Sequence, residues 1–296
     1  MSMRDYRRQK RIPKRVAVIV GAIAAVAFVI LYIYDMLFGL FIRPGEGECE
    51  FHFVDVGQGD CAMIITKDIT VVVDTGPQDH ADSTERYIRR YTDTIDYLIL
   101  THPHEDHIGG SDELIESINV KNIIMSDATT DTVTYSNLLN AIEEADVNVI
   151  EAQSADKYSA GDIDITILAP NSEFTDYNDY SIVVKVEFGN TSTIITGDVE
   201  EHAERLILEK FESNVLETDI LKLGHHGSYT SNTDDFLNVL SPEYAVITCG
   251  IDNEYGHPHI ETLERLELHG IEYFRTDENG HIVFSSDGKA LEVVHQ

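Results

Sequence analysis

Three hydrophobic patterns succeed one another along the chain. From Val16 to Tyr34 no residue carries a charge, and after Asp35 apolar residues resume through Ile42. A helix of about 20 such residues is long enough to cross a bilayer, so one N-terminal transmembrane helix is expected within residues 16–42. Turn formers in Arg43-Pro44-Gly45-Glu46-Gly47-Glu48 then break the pattern and make 43–48 a linker. From Cys49 onward, short runs rich in Val, Ile and Phe predict strands at Glu50–Val56, Cys61–Thr66 and Thr70–Asp74.

Beyond these, strand-like and helix-like periods alternate. Helices are predicted near Thr84–Tyr91, Gly110–Ser117 and Tyr135–Ala145, and strands at Tyr97–Thr101, Val120–Met125 and Val147–Glu151. The order repeats in the second half. Strands at Ile163–Leu168, Ser181–Phe188 and Thr191–Thr196 precede a helix over Glu201–Phe211. Strands near Asp219–Leu223 and Tyr244–Cys249 then alternate with helices at Thr233–Leu240 and His259–His269. Two β-then-α halves imply an α/β fold in which two sheets are sandwiched between helices.

Charge divides the chain sharply. Residues 1–15 hold seven of the 21 Lys/Arg against one acid, Asp5, so the positive-inside rule makes them a cytoplasmic tail and 16–42 a signal anchor. Everything after the linker is then expected outside the cell membrane. The small-x-small triplets Ala22-Ile23-Ala24 and Ala25-Val26-Ala27 lie inside the apolar run rather than after it, which favours an anchor over a cleaved signal. Past Arg43 there are 13 Lys/Arg against 51 Asp/Glu, an excess of 38 acids that repels polyanions. Cys49, Cys61 and Cys249 are too few and too scattered for a zinc ribbon, a redox pair or a disulfide framework, and read as buried thiols.

The chemistry is concentrated in Thr101-His102-Pro103-His104-Glu105-Asp106-His107-Ile108-Gly109-Gly110, directly after the apolar strand Tyr97-Leu98-Ile99-Leu100. Strand ends that feed loops are where ligand-binding groups converge in α/β sheets. His102 and His104, at alternate positions, can face one cation; Asp106 and His107 can face a second. Imidazole combined with carboxylate suits zinc, manganese or iron.

This stretch resembles the signature of the metallo-β-lactamase superfamily. Further motifs follow the same order as in the C-terminal extracellular domain of the ComEC competence proteins: Phe53-Val54-Asp55-Val56-Gly57-Gln58-Gly59-Asp60, Val73-Asp74-Thr75-Gly76, Thr196-Gly197-Asp198, Gly224-His225-His226-Gly227-Ser228 and Tyr255-Gly256-His257-Pro258. The resemblance spans residues 49–296. It implies an αββα four-layer sandwich, two divalent metal ions (zinc or manganese) at the sheet edge, and hydrolysis. The competence proteins also carry a many-helix membrane channel, which a single apolar span does not match.

By the same resemblance Asp198 is the acid that bridges both ions and His226 binds the second, with His225 the neighbouring candidate. The superfamily's third histidine at the first metal has no counterpart, and Asn178 or Asp179 in Asn178-Asp179-Tyr180-Ser181 stands in its place. An oxygen ligand there shifts preference from zinc towards manganese. Asp55, Asp60 and Asp74 are read as holding turns and orienting the ligands. Asp106 is expected to serve catalysis as well as binding, and His257 to act as proton donor or phosphate contact.

The reaction expected is hydrolysis of an ester, foremost a phosphodiester, with single-stranded DNA among the substrates. The acidity argues against a strong grip on long DNA, since Lys/Arg contacts usually supply that affinity. A small ester, lactone or nucleotide is the second reading, and a non-catalytic surface-binding protein the third. No protein partner is indicated.

Overall fold

The computed structural model describes Val20, residues 41–172 and residues 174–295. The membrane span expected over 16–42 lies outside these residues except at Val20, Phe41 and Ile42. Among the described residues no helix is long and apolar enough to cross a membrane. Arg43–Gln296 forms a compact unit of its own. Its first residue is tied in firmly: the Arg43 guanidinium donates to the carbonyls of Thr66, Lys67 and Tyr91 and to the hydroxyls of Thr70 and Thr92.

The first half of the unit runs β1 (Cys49–Phe53), β2 (Ala62–Thr66), β3 (Thr70–Val73), α1 (Ala81–Ile88), β4 (Thr94–Ile95), β5 (Tyr97–Leu100), α2 (Glu105–Ile108), α3 (Ser111–Ser117), β6 (Asn119–Val120), β7 (Asn122–Met125), α4 (Val133–Ala145) and β8 (Asn148–Glu151). The second half runs β9 (Lys157–Ala160), β10 (Ile163–Ala169), β11 (Val183–Phe188), β12 (Thr191–Ile195), α5 (Glu201–Lys210), β13 (Ile220–Lys222), α6 (Asp234–Leu240), β14 (Tyr244–Ile247) and α7 (Ile260–His269). Three strands close the chain: β15 (Glu272–Arg275), β16 (Ile282–Ser286) and β17 (Leu291–His295).

Successive side chains on a strand point to opposite faces, and here that alternation separates three cores. Ala62 and Ile64 of β2, Val71 and Val73 of β3, and Ile99 of β5 face a central core, where they meet Ile163, Ile165, Ile167, Val184 and Val186 of the other sheet. The intervening Met63, Ile65, Val72, Leu98 and Leu100 point outward onto Tyr87, Ile88, Leu114 and Leu138 of the helices. On the far side Ile194, Leu221 and Ala245 pack against Ala203, Ile207, Phe236 and Leu266. Helix, sheet, sheet, helix is therefore the layer order, as the sequence pattern implies.

One sheet has the order β17-β16-β1-β2-β3-β5-β7-β8 and the other β15-β14-β13-β12-β11-β10-β9. The closing strands correct the simple two-half reading, because β16 pairs antiparallel with β1 at Phe51↔Phe284 and so returns the C-terminus to the first sheet. The strand expected at Val120–Met125 is in fact two pieces. Lys121 donates its backbone N–H to Ile95, so β6 pairs with β4 while β7 pairs with β5. The three cysteines are free and buried, as expected.

Candidate metal centre

β3 and β5 are parallel neighbours, so the residues that follow them emerge side by side at one sheet edge. Asp74 follows β3 with φ 57°, a left-handed conformation that turns its carboxylate across to the next strand. That carboxylate accepts from Thr101 N (2.8 Å), Thr101 Oγ1 (2.6 Å) and His107 Nδ1 (2.8 Å). Burial pushes the Asp74 carboxyl up, and the donors from Thr101 and His107 oppose that shift. Because the hydrogen of His107 sits on Nδ1, its Nε2 lone pair is left for a cation.

The same logic fixes His226. Its Nδ1 donates to the Thr248 carbonyl (2.9 Å) and lies 3.3 Å from Asp60 Oδ1, which aims Nε2 at Asp106 Oδ2 (3.3 Å) and Asp198 Oδ2 (3.7 Å). His102 Nδ1 is held by the hydroxyls of Thr101 (3.1 Å) and Ser181 (3.2 Å), so its Nε2 faces His104 Nδ1 at 2.9 Å. Ser181 Oγ also accepts from Asp198 N (3.0 Å) and thereby couples the two ligands.

Asp198 is the hub. Its Oδ2 lies 3.7 Å from His102 Nε2 and 3.2 Å from His107 Nε2. Two sets of ligand atoms converge on it: His102, His104 and Asp198, and Asp106, His107, Asp198 and His226. The sequence places these same residues in the same two groups. Gly197, with φ 53°, makes the approach possible, since a Cβ there would stand 2.9 Å from the Ser181 side chain and 3.0 Å from Thr101. Gly59 has a similar role, because a Cβ would meet the Asp106 carbonyl at 2.3 Å.

Do these residues suit metal ions? His107 Nε2, His226 Nε2, Asp198 Oδ1 and Asn178 Oδ1 are buried without a hydrogen-bond partner, although buried polar atoms normally have one. The titration behaviour points the same way. Burial and the neighbouring imidazoles hold His102 well below its ordinary range, and His104 is lowered for the same reasons, so both present lone pairs. In His107 and His226 burial is outweighed by the carboxylates, Asp198 foremost, which raise His107 well above its usual value and His226 to about 10. Positive charge is what this cluster of carboxylates demands. A donor set of imidazole and carboxylate fits divalent zinc or manganese.

The residues left open by the sequence separate cleanly. Asn178 lines the cleft beside His104 and Asp198, with its Oδ1 orphaned. Asp179 turns away and accepts from Glu200 N (3.0 Å). His225 lines the cleft outside both ligand groups, and its Nδ1 donates to Glu200 Oε1 (3.1 Å). His225 and His226 both have positive φ, 50° and 52°, a conformation costly for non-glycine residues and typical of functional sites. His257 stands at the mouth, 6.0 Å from the His226 ring, and is not in either ligand group. Burial and the His226 and His225 charges lower its pKa to about 4, so at neutral pH the ring is uncharged. Asp55 stays out of the centre, with its carboxylate accepting from Gly57 N (3.1 Å).

Three contributors escaped the sequence reading. Thr248 gives no local signal, and Ser181 shows only as the last residue of Asn178-Asp179-Tyr180-Ser181, with no role read for it. Lys222 does, as the one charge in the apolar strand Ile220-Leu221-Lys222-Leu223. It is buried, pairs directly with Asp60 Oδ2 and donates to Gly197 O (3.1 Å). Burial works against ionisation of Asp60, and the Lys222 ammonium, with His226 and His107, nevertheless holds its carboxyl below the usual range.

Comparison with known proteins finds similar sequences and a similar fold. Residues 54–135 match the metallo-beta-lactamase superfamily model. ComE operon protein 3 of Bacillus subtilis is 30% identical over 90% of this chain and 36% of its own length, and competence protein ComA of Neisseria gonorrhoeae is 30% identical over 81% and 32%. The chain thus spans about a third of these relatives. The metallo-beta-lactamase fold protein YhfI of Bacillus subtilis superposes with a TM-score of 0.54 at 13% identity, covering 81% of this chain and 100% of YhfI. From motifs, layer order and ligand geometry together, this chain carries a metallo-β-lactamase superfamily domain with the ComEC-like competence proteins among its relatives.

Proposed function

We propose that the chain is a metal-dependent hydrolase whose substrate is a phosphodiester. The observation that carries this reading is the gathering of six His and Asp residues into two groups that share Asp198, beside an open cleft of about 360 Å³. His102, His104 and Asp198, with Asn178, would hold one divalent ion; Asp106, His107, His226 and Asp198 would hold the other. Such a pair supplies Lewis acidity, lowering the pKa of water and polarising a phosphoryl oxygen.

The rest is done by the chain's own groups. Asp74 and the Thr248 carbonyl keep the Nδ1 hydrogens of His107 and His226 in place, with Asp60 beside the latter, which fixes the Nε2 directions. Asp106 brings a half-exposed carboxylate to the cleft, where it can accept a proton from an attacking water as well as bind. His257, whose pKa burial and the neighbouring imidazoles lower to about 4, would offer a hydrogen bond to a phosphoryl oxygen or a proton to the leaving group. With the anchor expected over residues 16–42, the domain would act outside the cytoplasmic membrane.

The test is a substrate panel. The manganese- or zinc-loaded chain is expected to hydrolyse bis-p-nitrophenyl phosphate and single-stranded DNA and to leave a β-lactam and a simple lactone untouched. Turnover of the lactone with none of the phosphodiesters would establish the small-ester reading instead.

A further inference from the structure

The cleft that should receive a phosphodiester offers few groups for its charge. The residues lining it are Gln58, His104, Glu105, Asp106, Asn178, Asp198, His225, His226, Tyr255 and His257, with no Lys or Arg among them. The chain past Arg43 also carries an excess of 38 acids. Phosphates flanking the scissile one therefore meet repulsion, and affinity for an extended substrate has to come from other parts of it.

Aromatic rings occupy that place. Tyr255 is 67% exposed and lies nearly parallel to His257, at 19° with centroids 5.7 Å apart. His257 touches His259 (4.9 Å), and His259 touches Tyr229 (4.9 Å), which is 57% exposed. These four rings form a track leading outward from His226 on the side of the second ligand group. On the side of the first, Tyr177 meets the edge of His104 (5.9 Å) and is pinned by its hydroxyl, which donates to Thr129 O (2.9 Å). Exposed tyrosines thus bracket both ends of the metal-binding cluster. Beyond these ring contacts Tyr255 and Tyr229 leave more than half of their surface to solvent, and aromatic faces stack on unpaired bases irrespective of sequence.

We propose, resting on the phosphodiesterase reading with single-stranded DNA as its substrate, that Tyr255 and Tyr177 are the residues that hold the strand and select for unpaired bases. The strand is held by base stacking on Tyr255 and Tyr177, not by cationic contacts to its backbone. Paired bases are already stacked on one another and cannot use these faces, so duplex is a poor substrate. Because no Lys or Arg grips the backbone, added salt only screens the acidic surface. Binding then stays flat or tightens as salt rises, opposite to the steep loss that counterion release causes in cationic clefts.

The experiment uses the full chain loaded with manganese, oligothymidylate, and an abasic strand of equal length with the same phosphate backbone. For the unaltered protein, kcat/KM on oligothymidylate is expected to exceed that on the abasic strand by roughly tenfold or more, the scale of one stacked base. In Tyr255→Ala that ratio falls towards one, and in Tyr255→Trp it is kept. KM for oligothymidylate does not rise between low and moderate salt. Equal cleavage of both strands by the unaltered protein, an unchanged ratio in Tyr255→Ala, or a KM that climbs steeply with salt would each overturn the proposal. If no phosphodiester is cut at all, the phosphodiesterase reading fails by itself. The stacking proposal is then judged by fluorescence anisotropy of the two labelled strands, where tighter binding of oligothymidylate supports it and equal binding refutes it.

Discussion

Asp198→Ala is expected to lose both metal ions together and to reduce turnover on the order of a thousandfold or more. Its carboxylate belongs to both ligand groups, and its Oδ2 lies within 3.7 Å of His102, His107 and His226. Removing it leaves the first group with two imidazoles and the second with two imidazoles and one carboxylate. Elemental analysis of the variant should therefore show neither site filled, whereas a variant lacking only a peripheral ligand would retain one ion. Asp179→Ala is the matched control, since that carboxylate serves Glu200 N and should not alter metal content. Retention of one ion per chain in Asp198→Ala would show that the two groups do not share it.

The second large effect is expected under the centre, at the buried Lys222–Asp60 pair. Removing one member of such a pair strands the other without compensation, at a cost of about 3–5 kcal/mol. The two directions are not equal here. In Lys222→Met the Asp60 carboxylate still faces His226 Nδ1 at 3.3 Å and His107 Nδ1 at 3.7 Å, so part of its compensation survives. In Asp60→Asn the Lys222 ammonium loses its countercharge and keeps only neutral acceptors such as Gly197 O. Asp60→Asn should thus be the more destabilised in denaturant melts and should also bind metal more weakly, because His226 loses the carboxylate at its Nδ1. A double variant less damaged than the sum of the two singles would confirm the coupling. Equal small losses would mean that the pair contributes little.

The candidate ligand set was readable because most of it is local. Four of the residues fall within His102–His107, directly after a strand whose apolar run is unmistakable, and periodicity alone separated the helix and sheet layers. What the sequence concealed comes from long-range pairing. Thr248 reaches Asp60 across 188 positions and Ser181 reaches His102 across 79, and a lone Ser or Thr gives no sign of such a contact. The choice between His225 and His226 needed backbone geometry: the two are adjacent, and only the turn with positive φ sends one ring to Asp106 and the other to Glu200. The closing strands were missed for a related reason. Ile282–Ser286 is short and borders Gly and Asp turns, and its partner β1 lies more than two hundred residues earlier.

Lys222 is the instructive omission. A charge inside a buried strand is expensive unless paired, so its presence beside Gly224-His225-His226 already calls for a buried acid near the site. Asp60 answers that demand, and the pairing also explains why its carboxylate belongs to the support of the ligands and not to either ligand group.

The measurement closest to the central claim is hydrolysis of bis-p-nitrophenyl phosphate by the metal-stripped chain as manganese or zinc is added back, with bound metal counted at each step. The account predicts no turnover without metal and a rise that saturates as two ions per chain are bound. Turnover that is indifferent to metal, or a chain that binds two ions and cleaves no phosphodiester, would contradict it.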